Sequence, residues 1–493
     1  MELLLNPASR DEDLRSNQPL YRWKELLFRA LQLWSGSVLL EFHVNSWGNC
    51  TARQKRVYPR YMNSQRLETS RLFTRFGFGP RPGEYAQALI DGVSTTRSKV
   101  LTVPTVDAGA ASVVKPEITD LGKRPEPNTK EIVPFAIAMR FQTQQMIMWW
   151  LDRMALSNNG LTEKMTWFWH GHWATSIQKL NYPLPMYKQN ETLRTHCLGN
   201  FASMTKAMLN DGALQFWLDG QDSTVKAPNE NLGRELMELF TLGVGRYTED
   251  DVKSISRVLT GYQVNRNNGT VTINQNRRDK NPVNLLGTTA VFTGDSLADF
   301  LVARDDSAKF VSERLWYRFI SSTEDMPATF SAKNAFATRD ISAAVAAMAN
   351  DSAMRDEKYA MVKSPVEWFI GACRALELTP SQLKTPNQLT NYLEKLGQVP
   401  FSPPNVGGWP AGEAWLSSAT AQYRIAFATW LIKQSDLRGL KEIKPASRVL
   451  KSADWLGVAE WSPRTQSALR SSVNDPSQFA LLALCSPEYI VSA

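Results

Sequence analysis

The sequence contains few residues of the types that most often carry metal or redox chemistry. It has only four cysteines and four histidines in 493 residues. The cysteines lie far apart, at positions 50, 197, 373 and 485, so no zinc motif, redox motif or disulfide framework is indicated. Stability must therefore come from a packed core, for which a hydrophobic fraction of 43% is ample.

A long hydrophobic run is also missing. The most apolar early stretch, residues 28–44, is interrupted by Arg29, Gln32 and Glu41. No later segment reaches the roughly 18 uninterrupted apolar residues of a spanning helix, and no small-residue cleavage site follows an apolar stretch. The sequence therefore predicts neither a membrane span nor a signal peptide, and it predicts a cytoplasmic location.

The excess of positive charge is small for a chain of this length. The 56 Lys and Arg residues exceed the 48 Asp and Glu residues by only eight. Because this excess is spread over the whole sequence, nucleic-acid binding is not expected. The 16 tryptophans exclude a mainly disordered chain, since such chains contain few aromatic residues.

The character of the sequence changes near residue 62. Residues 1–61 have irregular periodicity and no clear helix caps, and we interpret them as an atypical N-terminal arm. This arm is either the product of a misassigned start or a real but poorly ordered extension. Residues 62–493 are predicted to form a single α-helical domain, with an extended, proline-containing linker at about 102–130.

Helical periodicity dominates this domain. Thr248 and Asp251 have the spacing of a capping box, and apolar residues follow at helical intervals. The pair Asn268-Gly269 between two short β-prone runs predicts a hairpin near 262–275. The predicted fold class is mainly α, a compact multi-helix globular body with one small β-hairpin.

Several long motifs resemble one known family. The three most specific are MTWFWHGHWATS at 165–176, APNENLGRELMELFTLG at 227–243 and PPNVGGWP at 403–410. Supporting stretches lie at 71–79, 195–201, 363–367 and 486–489. Together they resemble the bacterial domain of unknown function 1800 family, in order, over residues 64–491.

The resemblance implies little about activity, because the family is named for having none established. Many members are exported, and many are encoded beside a second uncharacterised family similar to sulfatases or phosphatases. A co-encoded protein of that kind is therefore the predicted partner. The present sequence departs from its relatives in lacking an export signal.

The sequence also departs from the family at individual positions. Phe240 stands where many members carry His. After the predicted hairpin, many members show a His-Asp pair followed by Gly and Lys. This chain has Arg278-Asp279 there, with Asn281 and Val283 at the later positions. If those positions are catalytic in the family, this chain is expected to have impaired activity. If they are structural, the differences have no consequence for activity.

Three of the four histidines, His170, His172 and His196, lie close together in the sequence. Residues two apart cannot share one face of a helix, so Gly171 is predicted to break the helix and place His170 and His172 on one side. Two imidazoles placed in this way can bind a metal or transfer protons. The alternative is that both rings form hydrogen bonds inside an aromatic core.

A second cluster follows Asn229, a favourable N-cap residue. On the helix that starts there, Glu235 and Glu238 lie three residues apart on one stripe. Two such carboxylates can hold a cation, or one of them can have the raised pKa of a general acid. The alternative is a packing network in which Arg234 neutralises Glu238 within the helix.

The combined prediction is a hydrolase or metal-assisted enzyme acting on carbohydrate or cell-envelope material. The predicted catalytic residues are Glu235, Glu238, His172 and His196. The predicted ligands of a divalent metal are His170, His172, Glu235 and Glu238. The alternative class is a non-catalytic scaffold or binding protein that works with the co-encoded partner.

Overall fold

The structure, a computed structural model, describes residues 64–492 and, before them, the backbone of two strands, Leu39–Val44 and Cys50–Lys55. The predicted arm at residues 1–61 lies largely outside this part of the chain. Its origin therefore stays a prediction.

Helices make up about 59% of residues 64–492, which confirms the mainly α class. The first twelve α-helices are α1 Ser64–Arg75, α2 Glu84–Asp91, α3 Val93–Leu101, α4 Ala108–Ala111, α5 Ile132–Leu156, α6 Leu161–His172, α7 Ile177–Leu180, α8 Pro183–His196, α9 Phe201–Leu209, α10 Gly212–Trp217, α11 Glu230–Glu235 and α12 Glu249–Val258. A π-helix, Leu236–Thr241, continues α11 without a break. The predicted linker at 102–130 contains α4 and is otherwise irregular.

The second half of the chain adds twelve α-helices to the described structure. They are α13 Gly294–Ala303, α14 Asp305–Phe319, α15 Ser331–Ala335, α16 Ile341–Asn350, α17 Pro365–Leu376, α18 Pro386–Lys395, α19 Ser418–Ile432, α20 Arg438–Lys441, α21 Pro445–Leu456, α22 Pro463–Arg470, α23 Pro476–Leu484 and α24 Pro487–Ile490. Six of these twelve begin at a proline, which suits the first helical position because its missing N–H would have no partner there. The predicted capping box of Thr248 and Asp251 starts α12.

The described strands form antiparallel two-stranded sheets. They are β1 Leu39–Val44 with β2 Cys50–Lys55, β3 Tyr262–Asn265 with β4 Thr270–Ile273, β5 Val283–Leu285 with β6 Thr288–Ala290, and β7 Met361–Val362 with β8 Val491–Ser492. The β3–β4 pair is the predicted hairpin, with Asn268 and Gly269 in its turn. The sequence predicted only this hairpin, and the β5–β6 pair was missed. Strands of three residues are too short to show a period-two pattern.

Two hydrophobic cores lie on either side of α6. The first core contains Trp150 of α5 and Trp368 of α17, and the second contains Phe201 of α9 and Leu315 of α14. Helix α6 contributes to both cores because nearly all of its residues are buried, including the charged Glu163 and Lys164. Among the described residues, no helix is both long and apolar enough to cross a membrane.

Candidate functional site

The histidine motif lies at the end of α6, and here the prediction from the sequence was wrong. Gly171 does not break the helix, which continues to His172. Residues two apart on a helix point in nearly opposite directions, so the two rings enter different surroundings. His170 packs against Trp150 in the first core, and His172 packs against Phe201 in the second.

His170 fixes the start of the loop that carries the PPNVGGWP motif. Its Nε2 atom accepts a hydrogen bond from the N–H of Phe401 at 3.1 Å. Phe401 has a φ of 65°, a left-handed conformation that is strained for a bulky residue. The carbonyl of Phe401 in turn accepts from the N–H of Ile177 at 2.9 Å. The His170 side chain therefore helps to hold a strained turn.

His172 is bonded to the π-helix. Its Nε2 atom lies 2.9 Å from the carbonyl oxygen of Phe240, so Nε2 carries the proton and donates it. The other ring nitrogen, Nδ1, is buried and has no hydrogen-bond partner among the described residues. Burial lowers the pKa of both His170 and His172 to about 3, and Arg314 adds to the effect at His172. Both rings are therefore neutral at ordinary pH.

The two glutamates of the second cluster are half-buried and lie at the junction of α11 with the π-helix. Burial and the nearby carboxylate of Glu238 raise the pKa of Glu235. The hydroxyl of Tyr247 donates a hydrogen bond to Glu238. Arg234, the expected neutraliser of Glu238, instead donates to Glu249 at 2.7 and 2.8 Å. The proposed Arg234–Glu238 network is therefore not formed.

The predicted metal ligands do not converge. Within residues 64–492, no three His, Cys, Asp or Glu side chains come together in a group that could hold a metal ion. His170 and His172 are separated by the helix that carries them, and each ring already has one nitrogen committed to a backbone group. His196 is half-buried at the last residue of α8. The catalytic roles of Glu235, Glu238, His172 and His196 stay predictions.

A cleft of about 50 Å³ lies beside Gly171. Three of the recognised motifs contribute to its walls: α6 from the first, Ser364 and Glu367 from 363–367, and Trp409 from 403–410. Its remaining lining includes Arg318 at the end of α14, Gln398 and Trp415. We call this cleft the motif cleft. Its lining includes the residues just named and also Lys164 and Trp167 of α6.

Two cations line the motif cleft, the buried Lys164 and the partly exposed Arg318. Lys164 pairs with Glu367 and also donates to the carbonyl of Thr74 at 3.2 Å. Arg318 donates to the carbonyls of Trp409 and Pro410, which carry no net charge.

Two further cations do not line the cleft but interact with residues that do: Lys363 with Glu367, and Arg314 with Arg318. Lys363 lies over the ring of Tyr489, with its nitrogen 3.5 Å from the ring centroid. Burial lowers the pKa of Lys363 to about 7 and that of Arg314 to about 10. Among the described residues, Arg314, Arg318 and Lys363 form no ion pair with a carboxylate, whereas Lys164 has Glu367. The lining of the motif cleft therefore carries one more positive than negative charge.

Trp409 supplies a hydrogen-bond donor that is not used within the described structure. The side chain is only 4% exposed and stacks on Trp167 with ring centroids 5.1 Å apart. Its indole N–H is buried and has no partner among the described residues. A buried donor without a partner costs roughly 1–3 kcal/mol, so this indole N–H is available to a water molecule or to an acceptor on a ligand.

The loop reaches the cleft through a close contact between two glycines. A Cβ atom on Gly408 would lie 2.3 Å from the carbonyl oxygen of Gly171, and Gly408 has a φ of 82°. Alanine at this position is expected to lower the free energy of unfolding by about 2 kcal/mol or more, since strain of roughly 1–3 kcal/mol adds to the clash. Urea unfolding followed by tryptophan fluorescence measures the change.

Gly407 provides the matched control for this substitution. A Cβ atom there would meet only the side-chain oxygen of Asn405, at 3.2 Å, and no positive φ is involved. Gly407→Ala is therefore expected to cost less than Gly408→Ala. Equal urea midpoints for the two variants would show that the Gly408–Gly171 contact is not tight in solution.

The residues of the motif cleft were largely missed in the sequence. Lys164 and Arg318 carry no local signal, because each looks like an ordinary exposed helix cation until its neighbours are known. The stretch at 363–367 was recognised as a motif, but no chemistry was assigned to Glu367. Trp409 belongs to a recognised motif, and its burial and its stacking on Trp167 show that it also fills the core.

The fold and the cleft define a mainly helical protein with two cores, in which separate sequence motifs meet at one basic cleft. The chain belongs to the family described as Protein of unknown function (DUF1800), whose model matches residues 71–491. The resemblance drawn from the motifs is thereby confirmed. No curated protein and no solved structure matches the chain significantly.

Proposed function

We propose that the protein is a binding protein whose motif cleft recognises an anionic group on its ligand: a carboxylate, a sulfate or a phosphate. The observation that carries this proposal is the unbalanced charge around the cleft. Lys164 and Arg318 line the cleft together with a single carboxylate, that of Glu367, which is paired with Lys164.

The charge of Arg318 has no carboxylate partner among the described residues. A charge partly removed from water is destabilising unless it is paired and hydrogen-bonded. Glu367 offsets Lys164, and the carbonyls bonded to Arg318 satisfy its N–H groups without neutralising it. A bound anion would offset a second charge, and the indole N–H of Trp409 can donate to it.

The volume of the motif cleft limits the ligand group that fits. About 50 Å³ accommodates a few water-sized atoms, as in one carboxylate, sulfate or phosphate group, and it does not accommodate a sugar ring. The rest of the ligand must therefore extend over the outer surface. Such a site suits the binding alternative predicted from the sequence better than it suits an enzyme with a four-ligand metal centre.

Titration with inorganic sulfate and inorganic phosphate, at constant ionic strength, tests this proposal. Binding is expected to change the fluorescence of the tryptophans around the cleft. Arg318→Gln removes the charge while keeping a donor for the loop, and it is expected to weaken binding about tenfold or more, since a charge-assisted hydrogen bond contributes roughly 1.5–3 kcal/mol.

Two other variants make the result specific. Arg318→Lys keeps the charge and is expected to retain most of the affinity. Arg234→Gln removes an exposed cation that is already paired with Glu249, so it is expected to bind like the unmodified protein. If the protein binds neither anion, or if all three variants bind equally, the motif cleft is not an anion site.

One observation supports the predicted hydrolase function as a second candidate. The raised pKa of Glu235 beside the carboxylate of Glu238 is the pattern expected for a general acid with a second carboxylate. Glycoside and ester hydrolysis by the full chain, compared with that of Glu235→Gln, tests this candidate. Metal analysis of protein purified without chelator tests the predicted divalent ion.

The predicted partner is consistent with the anion proposal. Sulfatases and phosphatases act on anionic esters, so a co-encoded relative of such enzymes and a sulfate- or phosphate-binding protein would share a ligand class. The cytoplasmic location predicted from the sequence stays a prediction beside the export seen in many relatives. Fractionation of cells that produce the native protein distinguishes the two locations.

A further inference from the structure

We propose that a second cavity, separate from the motif cleft, binds an uncharged and largely apolar ligand. This cavity has a volume of about 480 Å³. It is enclosed by α1, α2 and α3 together with two glycine-containing loops, at 77–83 and 158–160. We call it the N-terminal pocket. Its volume lies within the range of roughly 300–1,000 Å³ that is typical of small-molecule sites.

Two loops that cross at glycines form one wall of the N-terminal pocket. A Cβ atom on Gly160 would lie 2.9 Å from the Cα atom of Gly77, so the two backbones touch where neither residue has a side chain. Arg374, buried beneath this crossing, donates to the carbonyls of Gly79 at 2.6 Å and Ser157 at 2.9 Å. The pocket is therefore held open by a rigid backbone arrangement.

Part of the pocket wall is aromatic and aliphatic, and the rest consists of glycines, a proline and polar or charged side chains. Phe73 and Leu72 come from α1, Phe78 from the first loop and Val100 from α3. Phe78 is buried, whereas Phe73 and Val100 are partly exposed toward the cavity that they line. Apolar surface of this kind gains free energy when an apolar ligand covers it, by about 25 cal/mol for each Å² removed from water.

The charged side chains of the pocket are already paired with each other. Asp91 accepts from Lys99 at 2.6 Å and from Gln87 at 2.7 Å. Glu84 accepts from the backbone N–H of Arg81 at 2.7 Å and lies 3.4 Å from Arg374.

These pairs determine which class of ligand the pocket selects. The negative charges of Asp91 and Glu84 are matched by the positive charges of Lys99 and Arg374. The lining of the N-terminal pocket therefore has no net charge that would attract an ionic ligand. The motif cleft has the opposite property, since its cations are in excess. The two sites therefore differ in ligand chemistry: a small anion in the cleft, and a neutral apolar or aromatic molecule of two or three rings in the pocket.

Binding of N-phenyl-1-naphthylamine, an uncharged fluorescent probe, tests this inference. The full chain is expected to increase the fluorescence of the probe with saturable, one-site behaviour. Val100→Trp fills the pocket from α3 and is expected to weaken probe binding at least tenfold. Ala88→Leu fills it from α2 and is expected to weaken binding in the same direction.

Ile90→Trp is the matched control, because Ile90 is 79% exposed on α2 and does not line the pocket. This variant is expected to bind the probe normally, and so is Arg318→Gln, which alters only the motif cleft. Equal probe binding by the unmodified protein, Val100→Trp and Ala88→Leu would overturn the inference, as would the absence of probe binding. Neither outcome would bear on anion binding, which the sulfate and phosphate titrations measure separately.

Discussion

Replacing Glu163 by alanine is expected to lower the free energy of unfolding by about 3–5 kcal/mol, the range found when one partner of a buried ion pair is removed. Glu163 lies on α6 and is only 1% exposed. It accepts hydrogen bonds from Arg153 at 2.8 Å, from Arg194 at 2.9 Å and from the indole of Trp150 at 2.9 Å. Burial alone would raise its pKa, but the two guanidinium groups hold that pKa below its usual value.

The large effect follows from what the substitution leaves behind. Without the carboxylate, the positive charge of Arg153 and part of that of Arg194 stay in a site with little water. The buried indole N–H of Trp150 also loses its acceptor, which costs roughly 1–3 kcal/mol more. Urea unfolding at neutral pH, followed by circular dichroism, measures the loss.

Glu191→Ala is the control for this prediction because Glu191 pairs with the same Arg194. The Glu191 side chain is 35% exposed, and partly exposed ion pairs typically contribute about 0–1 kcal/mol. The two variants therefore remove one carboxylate each from the same arginine at different depths. Similar losses in the two variants would show that burial does not determine the strength of this network.

Local signals were sufficient to predict most of the secondary structure. The capping box of Thr248 and Asp251, and the turn at Asn268-Gly269, act through neighbours within a few residues. Helix α5 runs from Ile132 to Leu156, and both its apolar periodicity and the Asn158-Asn159-Gly160 sequence that follows it are local features. Such features depend on short-range geometry, so one sequence is enough to find them.

The histidine motif shows where local reasoning failed. Gly171 was expected to break the helix, but glycine in a helix costs only about 1 kcal/mol, and packing on both sides of α6 outweighs that cost. The Gly408 backbone approaches the carbonyl oxygen of Gly171, and a Cβ atom on Gly171 itself would meet no atom within 4 Å. The packing that keeps the helix intact comes from distant parts of the chain and leaves no local trace in the sequence.

The motif cleft was hidden for the same reason. Its charged residues, Lys164, Arg318 and Glu367, come from three helices that are distant in the chain. Their burial, which gives them unusual electrostatics, is a property of the packed molecule. The motifs themselves can be recognised in the sequence. Only the structure shows that three of them line the same cleft.

The second large effect concerns pH and the two buried histidines. The pKa values of His170 and His172 are about 3 in the folded protein, against an ordinary value of 6.5 that applies to the unfolded chain. The unfolded chain therefore binds more protons than the folded protein below about pH 6.5. The free energy of unfolding is accordingly expected to fall as the pH falls through this window, until about pH 3.

The size of this loss follows from the linkage between protonation and folding. Between pH 7 and pH 5, each histidine is expected to contribute a loss of about 2 kcal/mol, or about 4 kcal/mol together, since one pKa unit corresponds to roughly 1.4 kcal/mol. Urea unfolding at a series of pH values measures the slope. Above about pH 7 these two residues contribute no further change, because both rings are neutral in both states.

Glutamine at both positions separates this effect from that of the carboxylates, which also titrate in acid. A glutamine can accept from the N–H of Phe401 at position 170 and donate to the carbonyl of Phe240 at position 172, and it cannot be protonated in this range. The double variant His170→Gln, His172→Gln is therefore expected to lose less stability than the unmodified protein between pH 7 and pH 5, by about 4 kcal/mol. Identical pH slopes for the two proteins would mean that the rings are hydrated and titrate normally. In that case the histidines would again be available for the proton transfer that the sequence first suggested.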